Sequence, residues 1–120
     1  SQGVVIGEGS DLGGSASTMG TLSGGGEIRI SIGKNCLVGA NAGTGIPLGD
    51  RCTIEAGLYI TSGMVISVLD ENNKEIQKMK ARELAGASDM LFIRNSQTGQ
   101  IVCKTNNQAI ALNEALHKNN

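Results

Sequence analysis

The stretch Ile32-Gly33-Lys34-Asn35-Cys36-Leu37-Val38-Gly39 and its continuation Leu48-Gly49-Asp50-Arg51-Cys52-Thr53-Ile54-Glu55-Ala56-Gly57-Leu58-Tyr59-Ile60 decide the fold. Ile32 and Val38 stand six residues apart, Leu48, Ile54, Ile60 and Ile66 continue at that step, and Ile6 and Leu12 show it earlier. The residue after the apolar one is Gly7, Gly13, Gly33, Gly39 or Gly49, and later Glu55, Thr61 or Ser67. Four residues on come Ser10, Ala16, Cys36, Ala42, Cys52, Leu58 and Met64, all small or apolar. A period of six suits neither a helix nor a flat two-faced sheet; it suits short strands joined by tight turns around a triangular prism. Each hexapeptide then makes one face and one corner. The Ile/Leu/Val position fills the interior, the small position packs beside it, and the glycine is expected to supply a corner with positive φ. Cys36 and Cys52 are thereby placed inside.

Outward from this core, the period breaks between Leu12 and Ile32 and again between Val38 and Leu48. Both breaks are expected to release loops, one containing Met19-Gly20-Thr21-Leu22-Ser23-Gly24-Gly25-Gly26, the other Asn41 to Pro47 with the chain's only proline. After Ile66, Asp70-Glu71-Asn72-Asn73 is a polar turn signal. Met90 to Arg94 and Gln100 to Lys104 read as a hairpin around Asn95-Ser96-Gln97-Thr98-Gly99. Ala109 to Lys118, with Ile110, Leu112 and Leu116 at helical spacing, reads as a short terminal helix. The organisation expected is therefore an all-β solenoid over residues 1–70 with loop insertions, and an extension over 71–120 carrying the hairpin and helix.

Composition agrees. Of 18 glycines, all but Gly86 and Gly99 lie at or before Gly63, whereas most Lys and Arg residues follow from Lys74 onward. With 39% hydrophobic residues in 120, one modest core is the expectation, and Tyr59 and Phe92 as the sole aromatics make it narrow. A net charge of -1 without a basic run speaks against nucleic acid or an acidic membrane as partner. The absence of a long apolar stretch or signal-peptide pattern leads to the expectation of a soluble, cytoplasmic protein. Cys36, Cys52 and Cys103 have neither disulfide-framework nor metal-site spacing and are read as buried thiols, so no metal is expected in this chain.

Longer strings carry a resemblance. GSDLGGSASTMGTLSGGG (9–26), ISIGKNCLVGANAGTGIPLGD (30–50), CTIEAGLYITSG (52–63), KARELAGASDMLFIRNS (80–96) and IALNEALH (110–117) resemble, in order, the C-terminal region of the tetrahydrodipicolinate N-succinyltransferase family of hexapeptide-repeat acyltransferases. The resemblance implies a left-handed parallel β-helix; the hand is imported, since crossovers between parallel strands are generally right-handed. It implies transfer of succinyl from succinyl-CoA to the amine of tetrahydrodipicolinate, in diaminopimelate and lysine biosynthesis, by a homotrimer with sites between neighbouring β-helices.

Residue by residue, Gly20 matches the position whose backbone N–H faces the thioester carbonyl, a donor to the developing oxyanion worth roughly 3 kcal/mol. For the CoA moiety the matching positions are Gly14, Ser17, Ala40, Glu55, Ala56, Gly63, Lys80 and the run Ile93-Arg94-Asn95-Ser96. Small residues suit a pantetheine arm lying on the backbone, and Lys80 and Arg94 suit phosphates. Without the family, the same glycines and alanines are repeat geometry and the two cations ordinary solvated charges. His117 is expected to be a solvated end-of-helix residue, and Glu8, Asp11, Asp50 and Glu55 solvated corner residues. The family's catalytic glutamate and a nearby arginine match positions before Ser1, as do its N-terminal domain and metal positions. This stretch by itself is therefore expected to show little or no turnover. Two other readings stay open at this point: another hexapeptide acyl-CoA transferase, or a non-catalytic trimerising β-helix.

Overall fold

The computed structural model describes residues 5–14, 16–18 and 30–105, without the side chains of Ser17 and Thr18. Met19 to Gly26 with Gly20, where a loop is expected, and Ala109 to Lys118 with His117, where a helix is expected, lie outside the described residues. Eight two-residue strands come first: β1 (Val5–Ile6), β2 (Asp11–Leu12), β3 (Ser17–Thr18), β4 (Ser31–Ile32), β5 (Leu37–Val38), β6 (Gly43–Thr44), β7 (Thr53–Ile54) and β8 (Tyr59–Ile60). They are followed by β9 (Val65–Leu69), β10 (Glu75–Lys80), one turn of 3-10 helix (Ala81–Leu84), β11 (Leu91–Arg94) and β12 (Ile101–Lys104).

The pairing shows why the period is six. β1 pairs in parallel with β4, and Ile32 bridges on to Leu48. β2, β5 and β7 form a second parallel ladder, and β3, β6 and β8 a third. Successive hexapeptides enter the three ladders in rotation, so one circuit returns the chain beside its previous rung. In-register stacking then puts like residues above one another, Leu12 on Val38 on Ile54. Ile32, Val38, Leu48, Ile54 and Ile60 are all at most 3% exposed, each burial contributing about 1.5–3 kcal/mol. Cys36, Ala42, Cys52 and Leu58 are buried beside them, and Ser10 uses its hydroxyl to bond Gly33 O and Cys36 N at 2.7 and 2.9 Å. At the first rung Ile6 is exposed and Leu12 half-buried.

Two readings of the repeat are corrected. The glycines after the apolar positions do not take positive φ. That conformation falls two residues later, at Gly9, Asn35, Asn41, Arg51 and Gly57, which form the actual corners. The glycines are required by stacking: a Cβ on Gly7 would lie 2.5 Å from the Gly33 carbonyl, and one on Gly13 2.6 Å from Ala40 N. The second break is also no projecting loop. Thr44 continues the step of six from Val38, sits in β6 and is wholly buried. Its hydroxyl donates to Ile46 O at 2.9 Å and accepts from Ile46 N at 3.1 Å, which ties a shortened corner and buries Ile46 in turn.

Beyond β8 the chain leaves the rotation. β9 and β10 form an antiparallel hairpin whose turn is closed by Asp70 Oδ1, which accepts from Asn72 N and Lys74 N. The expected hairpin is β11–β12; β11 lies parallel on β7 and β12 parallel on β9, completing a seven-stranded sheet in the order β10-β9-β12-β11-β7-β5-β2. Ile66, Val68, Phe92 and Cys103 close the core there.

Candidate functional site

The order of that sheet sets seven strand ends side by side. β2, β5, β7 and β11 run in one direction; β12 and β9 run opposite to β11, and β10 is antiparallel to β9. One edge therefore carries, in order, the residues after β2 (Gly13, Gly14), after β5 (Gly39, Ala40), after β7 (Glu55, Ala56) and after β11 (Asn95, Ser96). Gln100 before β12, Gly63 and Met64 before β9, and Lys80 at the end of β10 complete it. At a strand spacing of about 4.8 Å this edge is about 29 Å long.

Backbone bonds hold the row. Asn41 N donates to Gly14 O and Gly57 N to Ala40 O, both at 2.8 Å, so the corners Gly14, Ala40 and Ala56 stack as one column of small residues. Glu55 Oε2 accepts from Arg94 N at 2.9 Å. The Gln100 carboxamide donates to Val65 O at 3.4 Å, linking the hairpin to β9. Ala81 N and Arg82 N donate to Met64 O and Ser62 O, each at 2.9 Å, which sets Lys80 beside the Gly63 turn. Between the Ala56 corner and the β11–β12 loop opens a groove of about 380 Å³ lined by Glu55, Ala56, Gly57, Leu58, Arg94 and Ser96.

The row thus brings together Gly14, Ala40, Glu55, Ala56, Gly63, Lys80, Arg94, Asn95 and Ser96. Ile93 is one residue inside it, and Ser17 opens β3 around the same corner. Gly20 lies outside the described residues. Asn95 is partly spoken for, since its side-chain oxygen accepts from Gln97 N and Thr98 N at 2.9 and 3.2 Å and shapes the loop. Sequence reasoning missed Gln100 and the groove floor at Gly57 and Leu58; nothing in their residue types sets them apart from ordinary turn and repeat positions.

The row presents small residues along one column and two cations at its far end. Arg94 and Lys80 are exposed and form no ion pair among the described residues, which leaves both free for phosphate. Column and cations together suit a narrow chain ending in an anionic head. The bidentate pair of Arg51 with Asp89, at 2.7 and 3.1 Å, lies at the opposite ends of β7 and β11. Hydrogen bonding to Arg51 holds the Asp89 carboxyl below its ordinary value, and Asp89 raises the guanidinium in return. Burial pushes the Cys52 and Cys103 thiols up to about 12, so neither is a thiolate nucleophile at neutral pH. Of the corner carboxylates, Glu8 and Asp11 are exposed as expected. Asp50 and Glu55 are not merely solvated: Asp50 Oδ1 accepts from Lys34 N at 2.8 Å, as Glu55 does from Arg94.

Parallel ladders at a step of six, glycines where rungs touch and small residues at the corners define a coil of hexapeptide repeats, and the family described as "Hexapeptide repeat of succinyl-transferase" matches residues 29–62. More particularly, the whole chain is similar to 2,3,4,5-tetrahydropyridine-2,6-dicarboxylate N-succinyltransferases. It is 63% identical over 120 residues to that of Pseudomonas putida and 61% to that of Vibrio cholerae, covering 35% of each. A solved 2,3,4,5-tetrahydropyridine-2-carboxylate N-succinyltransferase from Campylobacter jejuni superposes with a TM-score of 0.78 at 38% identity, over 92% of this chain and 31% of that one. The resemblance read from the residues therefore holds along the whole chain, which spans about a third of the length of the relatives it matches.

Proposed function

We propose that the chain is the acyl-donor-binding part of a tetrahydrodipicolinate N-succinyltransferase. In this reading the three-faced coil is a left-handed β-helix over residues 1–70, and residues 71–120 form an extension that supplies the last rungs and the cationic end of the row. Succinyl-CoA lies along the strand ends. Its pantetheine arm runs over the Gly14–Ala40–Ala56 column, where no side chain holds it off the backbone, and its phosphates face Arg94 and Lys80. Gly20, outside the described residues, keeps the role the resemblance gives it: a backbone donor for the thioester oxygen, where negative charge develops as the tetrahydrodipicolinate amine attacks. Ser17 lies at the start of β3.

Placement of the expected donor-binding residues on one edge about 29 Å long, in the sheet's own order, is the observation that supports this reading. The similar enzymes are named for the N-succinyl transfer, and the reaction, the succinyl donor and the acceptor follow from that name. Assembly as a homotrimer and a cytoplasmic location belong to the same proposal. No helix among the described residues is long and apolar enough to cross a membrane.

Calorimetric titration of CoA into the full-length protein tests the reading. Wild type is expected to bind saturably, and Arg94→Ala and Lys80→Ala each to weaken binding by about tenfold, as for a lost charge-assisted bond. Unchanged affinity in both variants would refute the assignment.

A further inference from the structure

At the position after the inward apolar residue, five rungs carry glycine, because the next rung's backbone lies against it; a Cβ on Gly39 would stand 2.5 Å from Ala56 N. Glu55 occupies the same position after Ile54, where a side chain should not fit. It fits because the rung above leaves the coil. Glu55 N still donates to Phe92 O at 3.0 Å, but Asn95 N, which a regular rung would direct to Ala56 O, turns to Gln100 O at 2.9 Å in the hairpin.

In an antiparallel pair, successive N–H groups point alternately towards and away from the partner strand. Since Asn95 N faces β12, Arg94 N faces β7. The paired register of β11 with β7 ends at Phe92, so without a side-chain acceptor the Arg94 amide would be left unpaired at the mouth of the groove. The Glu55 carboxylate takes this amide at 2.9 Å.

We infer that Glu55 is a positioning residue: its carboxylate fixes the backbone of Arg94, and with it the aim of the guanidinium and the entry to the Ser96 turn, without itself contacting the acyl donor. This rests on the reading of the row as a CoA site and assigns one of its residues a different task. A direct anionic ligand would be badly placed, because a carboxylate on the same groove as phosphates repels them. As an acceptor for an amide, the same group needs only an oxygen in place, which glutamine also supplies.

The experiment compares Glu55→Ala, Glu55→Gln and Arg94→Ala in the full-length protein, with CoA as the titrated probe and thermal unfolding as the control. Glu55→Ala is expected to weaken CoA binding by about tenfold, the range for a hydrogen bond to a charged group, and to speed exchange of the Arg94 amide. Glu55→Gln is expected to recover most of the affinity and of the amide protection. An equal loss in the glutamine and alanine variants would overturn the inference, because the charge itself would then be the ligand. So would an alanine variant that binds as tightly as wild type while Arg94→Ala does not. If Arg94→Ala also binds as wild type, the failure lies with the CoA reading.

Discussion

Replacing Gly39 by alanine adds only one methyl group yet should cost about as much as many core truncations. The new Cβ would lie 2.5 Å from Ala56 N, 2.7 Å from Ala56 Cα and 3.0 Å from Ala56 Cβ. None of these atoms belongs to a side chain that can swing aside. Relief requires the two rungs to separate, which strains the Gly39 N to Ile54 O bond of 2.9 Å and the neighbouring Gly57 N to Ala40 O bond of 2.8 Å. Overpacking of this kind costs about 1–3 kcal/mol, and backbone contacts put it at the upper end. At roughly 4–8 °C per kcal/mol for a domain near this size, the melting temperature should fall by roughly 12–24 °C. Gly14→Ala is the control, since a Cβ there meets nothing within 4 Å. It should stay within about 0.5 kcal/mol of wild type. Thermal unfolding followed by circular dichroism reads both variants. Melting of the two variants within about 2 °C of each other would refute the claim that rung contact, and not corner conformation, selects these glycines.

Other outcomes follow from the same geometry. Thr44→Val is nearly isosteric but leaves the Ile46 amide and carbonyl without the hydroxyl that serves both, so unfolding in urea should show a loss of about 1–3 kcal/mol. Cys52 and Cys103 hold their protons in the folded state up to about pH 12, whereas the unfolded chain releases them near the ordinary thiol value of 9.0. The unfolded state therefore binds fewer protons between those values, and stability should decline as pH rises from about 9 towards 12; a flat profile of melting temperature there would contradict their burial. At pH 8 both should resist alkylation by iodoacetamide until the protein is denatured, as mass spectrometry would show. Asp89→Asn should cost under about 1 kcal/mol at neutral pH, because the pair with Arg51 is exposed and screened; a larger drop in urea midpoint would mean the corner is held by that pair.

The coil was legible because its energetic logic is repetitive. Each inward Ile, Leu or Val faces the one below, and the step of six survives in spacing alone. Thr44 was misread because its polar side chain interrupts an apolar pattern that its own turn satisfies, and following the step through Thr18 and Thr44 would have recovered the third ladder. The purpose of the glycines could not be read from one rung, since the atom that forbids a Cβ belongs to a rung distant in sequence. β10 was missed for the opposite reason: on this mostly exposed edge strand the apolar residues Ile76 and Met79 stand three apart, so no period-two apolar pattern marks it. The candidate site came from matched strings, and only the sheet order put Gly14, Ala56, Arg94 and Lys80 on one edge. Glu55 shows what strings leave out, because its partner is a backbone amide, which no residue type announces.

Amide hydrogen exchange of the full-length protein with and without saturating CoA tests the account most directly. Slowed exchange should run along the strand ends, at Gly14, Ala40, Ala56, Gly63 and Arg94 to Ser96, while the Arg51–Asp89 end of the same strands stays unchanged. Protection confined to that opposite end, or no change along the row at saturation, would contradict it.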